Sequence, residues 1–299
     1  MEIEKQRWAP LPAACASAEG GPEGLKPGVG AYGWFQASPL SVWEEVFENE
    51  YGSRLLFDIE YKPAGGAAEG WFAIAYIWKN CTEYASYKDA WKLAGGTGDD
   101  VAFFVEHAFD GKGARILDLD IHYDNNQLRF SVILVANHGP VARAWWWGWG
   151  ATAQNLTDVL NGKAWATFKA DNIKKKLVAI EREANGHFAF VLNEHKPGEA
   201  WWWGFGATVQ NITDVLNGKA WATFKADNIE KRLVSLKRFA HENWTFIMVP
   251  REGLGWEWFP SKTFAELWDI AMAHNERIID IERYGSSDDH FSAVLVQNQ

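Results

Sequence analysis

The chain has 299 residues, 47% of them hydrophobic and 23% charged, with a net charge of −10. That length fits one or two domains or a repeat array, and the composition suffices for a sizeable core. The acidic balance excludes a nucleic-acid binder and a protein held on an anionic membrane, both of which need basic surface. Two cysteines, Cys15 and Cys81, rule out a disulfide framework.

Residues 1–32 are rich in Ala, Gly and Pro and read as a lead-in arm pinned by Trp8. No basic-then-apolar start and no membrane-length apolar run follow, so the expected location is cytoplasmic, with secretion by another route left open. Repeat 1 (33–80) holds the aromatic lead Gly33-Trp34-Phe35, a helix at SPLSVWEEVFENEYG, and strands over 54–61 and 71–78. Repeat 2 (81–140) opens with a long irregular connection over 79–112 that contains a helix-like DVAFFVEHAF, then strands over 115–123 and 128–135.

Repeats 3 (141–199) and 4 (200–255) are close copies. Residues 144–180 and 200–236 are offset by 56 positions, and 30 of the 37 aligned positions are identical. The stretch runs from a Trp triplet through a helix and an inserted KAWATFKADN to a strand. Repeat 5 (256–299) has Trp256-Glu-Trp258, a helix, and strands over 277–284 and 290–296. Its helix carries Phe264, Leu267, Trp268 and Ala271 on one face, and Thr263 with Glu266 forms a capping box.

The first strand of each unit alternates, as in Ile279 and Ile281 against Asp280 and Glu282. Polar turns follow at 124–126, 184–186 and 285–287, and Asn185-Gly186 is a strong hairpin signal. The expected fold is α+β: a tandem array of about five helix–β-hairpin (αββ) repeats forming one structural domain. One such unit cannot bury its apolar face alone, and a complete hairpin at the C-terminus would leave an open edge. The arrangement is therefore expected to be compact or closed into a ring.

The Trp lead, the helix, the Arg-Ile-Ile-Asp-Ile-Glu-Arg-Tyr strand and the return Phe-Ser-Ala-Val-Leu-Val-Gln-Asn resemble bacterial tandem repeat domains. Similar arrays form the N-terminal part of fungal polyglycine hydrolases. The matches lie at 54–78, 115–137 and 277–298, while repeats 3 and 4 depart through their insertion. The catalytic serine of those hydrolases belongs to a separate domain, and no Ser-x-x-Lys opening a helix is present. The resemblance thus implies a fold and a binding or scaffold role, and carries over no catalytic residue.

The triplets Trp145-Trp146-Trp147 and Trp201-Trp202-Trp203 are the most unusual features. Alternate residues of a strand face opposite sides, so at least one ring per triplet is expected to be exposed or to line a groove. The competing reading makes the rings wedges between repeats. Gly148-x-Gly150 and Gly204-x-Gly206 superficially resemble a dinucleotide fingerprint, but no βαβ frame surrounds them, so a tight turn explains them better.

Asp118-Leu-Asp120, Asp288-Asp289-His290 and Lys174-Lys-Lys176 read as solvated surface. The eight His are scattered without metal-ligand spacing, so neither a metal nor a cofactor is expected. The Asn155 and Asn211 sequons fall in expected helices and read as fold residues; another lies at Asn80.

The leading expectation is a non-catalytic, lectin-like binding module for a glycan or a protein partner, without nucleic-acid or membrane partners. Stacking would come from Trp145, Trp146, Trp147, Trp149, Trp201, Trp202, Trp203, Phe205, Trp256 and Trp258. Asp280, Glu282 and Arg283 would add hydrogen bonds. The alternatives are an enzyme, either a hydrolase or a biosynthetic enzyme, with an aromatic-lined pocket between repeats, and a structural scaffold.

Overall fold

Antiparallel pairing builds every sheet in the computed structural model. The structure describes residues 32–39, 54–62, 71–78 and 91–299, without 112, 140–141, 240–242, 252, 254, 284–289 and 298–299. The arm except Tyr32, the first repeat's helix beyond position 39, both cysteines, the Asn80 sequon, His241, the turn at 285–287 and Asp288-Asp289 lie outside the described residues.

The described strands form five three-stranded sheets. The first contains β1 (Tyr32–Pro39), β2 (Arg54–Lys62) and β3 (Trp71–Trp78). The second contains β4 (Trp91–Gly96), β5 (Ala114–Asp124) and β6 (Gln127–Ala136), with α1 (Gly98–His107) between β4 and β5. The third contains β7 (Trp145–Ala151), β8 (Lys175–Arg182) and β9 (Phe188–Glu194), with α2 (Ala153–Leu160). The fourth contains β10 (Trp202–Ala207), β11 (Lys231–Phe239) and β12 (Asn243–Pro250), with α3 (Val209–Leu216). The fifth contains β13 (Trp256–Thr263), β14 (Glu276–Arg283) and β15 (His290–Gln297), with α4 (Phe264–His274).

In every sheet the last strand lies in the middle, flanked by the first and second. The fold is thus mixed, sheet-rich and repeat-like. The aromatic lead of each unit is itself a strand, so the four units with a described helix are βαββ where αββ was expected. In the second unit α1 is the helix expected at DVAFFVEHAF, while β4 lies in the connection expected to be irregular.

Local signals place the helices. Thr97, Thr152, Thr208 and Thr263 each cap a helix in a capping box, with Asp100, Asn155, Asn211 and Glu266 as the reciprocal partners. Asn155 and Asn211 therefore serve the fold, as expected. The hairpin turns follow backbone chemistry. Asn125 and Asn126 both adopt positive φ, 49° and 62°, which is a type I′ turn. At 184–186 only Gly186 is left-handed, and the Gly186 N–H donates to the Glu183 carbonyl. This is a type I turn closed by a glycine bulge, not the I′ turn that Asn-Gly usually favours.

Packing explains why the middle strands read as unbroken apolar runs. Along β9, Phe188, Phe190 and Leu192 join the core under α2, while Ala189 and Val191 join the core of the preceding sheet. Both faces of the sheet are therefore covered, and alternation disappears.

The second strands share a register shift at one place: Leu56/Asp58, Ile116/Asp118, Leu177/Ala179, Leu233/Ser235 and Ile278/Asp280. The residue left over is apolar. Val178 and Val234 each pack against the core of the unit before their own. A β-bulge thus turns one apolar side chain backwards and re-aims the residues that follow. These second strands also pack on one another: β2 on β5, β5 on β8, β8 on β11, β11 on β14, and β14 on β2. No strand pairing joins the described sheets into one. Among the described residues no helix is long and apolar enough to cross a membrane.

Candidate functional site

The Trp triplets divide by strand pleat. Trp145 and Trp147 pack against the core of the preceding unit, and Trp146 against its own. In the next copy Trp201 and Trp203 face backwards and Trp202 faces its own core. All six rings are half-buried. None is fully exposed, and each packs against a core as the wedge reading expected. Trp256 and Trp258 are also half-buried on the core, and the Trp258 Nε1–H donates to Ser292 Oγ at 3.1 Å.

The open rings follow the triplets. Trp149 is 43% exposed and Phe205 39%. Trp149 lies 5.0 Å from Trp147 and 5.5 Å from Phe130 of the preceding unit. Phe205 lies 5.7 Å from Trp203 and 5.3 Å from Phe188 of the preceding unit. The glycines permit this geometry. A Cβ on Gly148 would stand 3.0 Å from Phe168 and 3.1 Å from Phe190, and Gly150 has φ +76°. They make room for rings and a tight bulge, as the turn reading expected.

The inserted segment covers the opposite side. In the third unit Trp165 and Phe168 form an isolated bridge, stack on each other and pack tilted over Phe190, with centroids 6.2 and 5.8 Å away. Beneath it, Lys175 Nζ sits 4.4 Å from the Trp146 ring and 2.7 Å from Asp171. The fourth unit repeats this with Lys231, Trp202 and Asp227, and the Lys231 ammonium holds Asp227 below the usual carboxylate range. Lys175 and Lys231 are each 3% exposed. The middle of the run 174–176 is therefore a buried cation between a ring and a carboxylate, not a solvated face.

The second strands carry a buried charge cluster. Asp58, Asp118, Asp120, Glu181, Lys237, Asp280 and Glu282 are all buried. Lys237 Nζ lies 3.3 Å from Glu181, 3.8 Å from Glu282 and 3.9 Å from Asp58. Burial opposes its charge, but Glu181, Asp118, Asp58 and Glu282 outweigh burial and hold Lys237 well above the ordinary lysine range. Burial pushes Asp58 well up. Lys237 opposes that shift, and Asp118 and Asp280 add to it.

The carboxylates also bridge strands. Asp280 accepts from the Leu236 N–H at 2.9 Å, Glu282 from the Arg238 N–H at 3.1 Å, and Asp58 from the Ile281 N–H. Asp280 and Glu282 thus cap the polar edge of a neighbouring strand, and Glu282 pairs in register with Ser292, the acceptor of the Trp258 ring N–H. Arg283, at the end of β14, is half-buried. Asp118 and Asp120, expected on the surface, belong to this buried set.

The register position of Asp58, Asp118 and Asp280 holds Ala179 and Ser235 in the third and fourth units, and two residues beyond Ser235 comes Lys237. It stands at the register position of Asp120, Glu181 and Glu282. A lone basic residue in an otherwise acidic repeat column was the available signal.

A third cluster lies at the end of α4. Glu257 Oε2 is 3.0 Å from His274 Nδ1, and Glu276 is adjacent. Burial pushes the Glu276 carboxyl up to about 7; Glu257 adds to the shift and His274 opposes it. The scattered His pattern hid this group, because its members come together only through β13, α4 and β14. Comparison with family models, with curated proteins and with solved structures finds no match to this chain.

Proposed function

We propose that the chain is a non-catalytic binding module of five tandem units closed into a ring, with carbohydrate as the ligand class. Closure is supported by β14 packing on β2 and by the Asp58 carboxylate of the first unit accepting from Ile281 of the last. The resemblance to bacterial tandem repeat domains agrees with this reading.

One observation carries the binding role. Trp149 and Phe205 occupy the same position in successive units, are each about two-fifths exposed, and are backed by aromatic residues. A rigid, partly exposed ring suits stacking on the C–H face of a sugar. Two equal shelves on one rigid frame suit a repeating polymer, because the second contact becomes intramolecular.

The test is a glycan array, followed by titration with the best hit. Trp149→Ala and Phe205→Ala should each weaken binding to the oligomer about 10-fold or more, and the double variant should abolish it. Equal binding by the double variant would overturn the assignment. Absence of any glycan ligand would direct the same variants to partner pull-downs.

A further inference from the structure

The fifth unit departs from its neighbours at one slot. By register, Glu276 opposite Gln297 takes the place of Lys175 opposite Glu194 and of Lys231 opposite Pro250. Glu257 opposite Leu295 takes the place of Trp146 opposite Leu192 and Trp202 opposite Met248. In units 3 and 4 this slot holds a lysine ammonium, clasped by a Trp ring and by Asp171 or Asp227. Unit 5 lacks the insertion that supplies that aspartate. Its helix passes into β14 through Asn275 alone, left-handed at φ 54° and ψ 52°.

That single residue sets His274 beside Glu276 at the slot. A positive charge occupies the position in two units, and in the third the same position is lined by two carboxylates and an imidazole.

The donor set is organised for a cation. Ligating atoms of Glu257, His274 and Glu276 lie within 4.8 Å of one another. Glu276 is only 4% exposed, and its Oε2 is buried without a hydrogen-bond partner. A buried carboxylate oxygen without a donor is costly, and a bound cation removes that cost. Glu257 and His274 are partly open to solvent, 38% and 49% by side chain, so an ion has a way in. Those two open side chains can also close the donors to the 2.0–2.2 Å bonds that such ions need.

We propose that Glu257, His274 and Glu276 bind a divalent first-row transition-metal cation of the Zn2+ type. Two carboxylates balance the double charge. One imidazole nitrogen disfavours Ca2+ and Mg2+, which prefer all-oxygen shells of six or more ligands. Three protein ligands leave coordination positions to water.

The experiment uses the full chain, free of any histidine tag and stripped with chelator. It is titrated calorimetrically with ZnCl2, MnCl2, NiCl2 and CaCl2 in turn, and bound metal is counted after dialysis. One equivalent of Zn2+ is expected, with a higher melting temperature, and Ca2+ at least 100-fold weaker. Glu276→Gln keeps the shape of the side chain, and His274→Ala changes a half-exposed residue. Each should weaken Zn2+ at least 100-fold, while far-ultraviolet circular dichroism stays that of the parent. Lys175→Gln alters the sister slot and should leave Zn2+ binding unchanged. Absence of a one-equivalent event, Ca2+ bound more tightly than Zn2+, or Zn2+ bound equally by the Glu276 and His274 variants would each overturn the proposal.

Discussion

Lys237 concentrates the electrostatics of the molecule on one atom. It is 1% exposed and faces Glu181, Glu282 and Asp58 within 3.9 Å. Removing one partner from a buried cluster leaves uncompensated charge. Lys237→Ala should therefore cost about 3–5 kcal/mol, measured by urea denaturation at pH 7. His122 gives a pH signature. Burial lowers its pKa to about 4, with Asp124 opposing and Arg129 adding. The folded value lies below the unfolded 6.5, so between pH 4 and 6.5 the unfolded chain binds more protons. Stability is full above pH 6.5 and falls towards pH 4, by on the order of 1–2 kcal/mol, and His122→Gln should remove that part of the slope. Neither burial was legible in the sequence. A strand read by alternation assigns Asp118 and Asp280 to a wet face, and only packing against a second strand reverses that.

At the scale of elements, the sequence was most informative where the interactions are local. The capping box of Thr263 and Glu266 and the face of Leu267 and Ala271 stand as expected. Thr263→Ala should cost about 1 kcal/mol by thermal melting. The two hairpin strands of each unit were legible too, but not the lead strand as part of the sheet, nor the bulge the second strands share, because one surplus apolar residue does not disturb an apolar run. Gly150, at φ +76°, marks the bulge that follows the Trp triplet. Gly150→Ala should destabilise by about 1 kcal/mol or more, since alanine gains Cβ strain in that conformation. The fate of the Trp rings was only half legible. Pleat alone predicts that they part to two sides. It cannot indicate that the second side is another unit.

At the scale of the whole molecule, the third and fourth sheets each owe one face to their own helix and the other to the unit before. Units so joined should lose structure together. Far-ultraviolet circular dichroism and tryptophan fluorescence are expected to trace one coincident urea transition, whereas separate transitions would mark a linear stack that frays.

The seam between units 3 and 4 repeats the seam between units 2 and 3: Trp203 and Phe205 meet Phe188 as Trp147 and Trp149 meet Phe130. The front of such a unit fits its own back. That is a head-to-tail interface, and a surface of that kind ends only by meeting its own beginning. Residues 141–255 expressed alone would carry both halves of the joint with nothing to cap them. They should self-associate head to tail, with an apparent mass that rises with concentration, visible by light scattering.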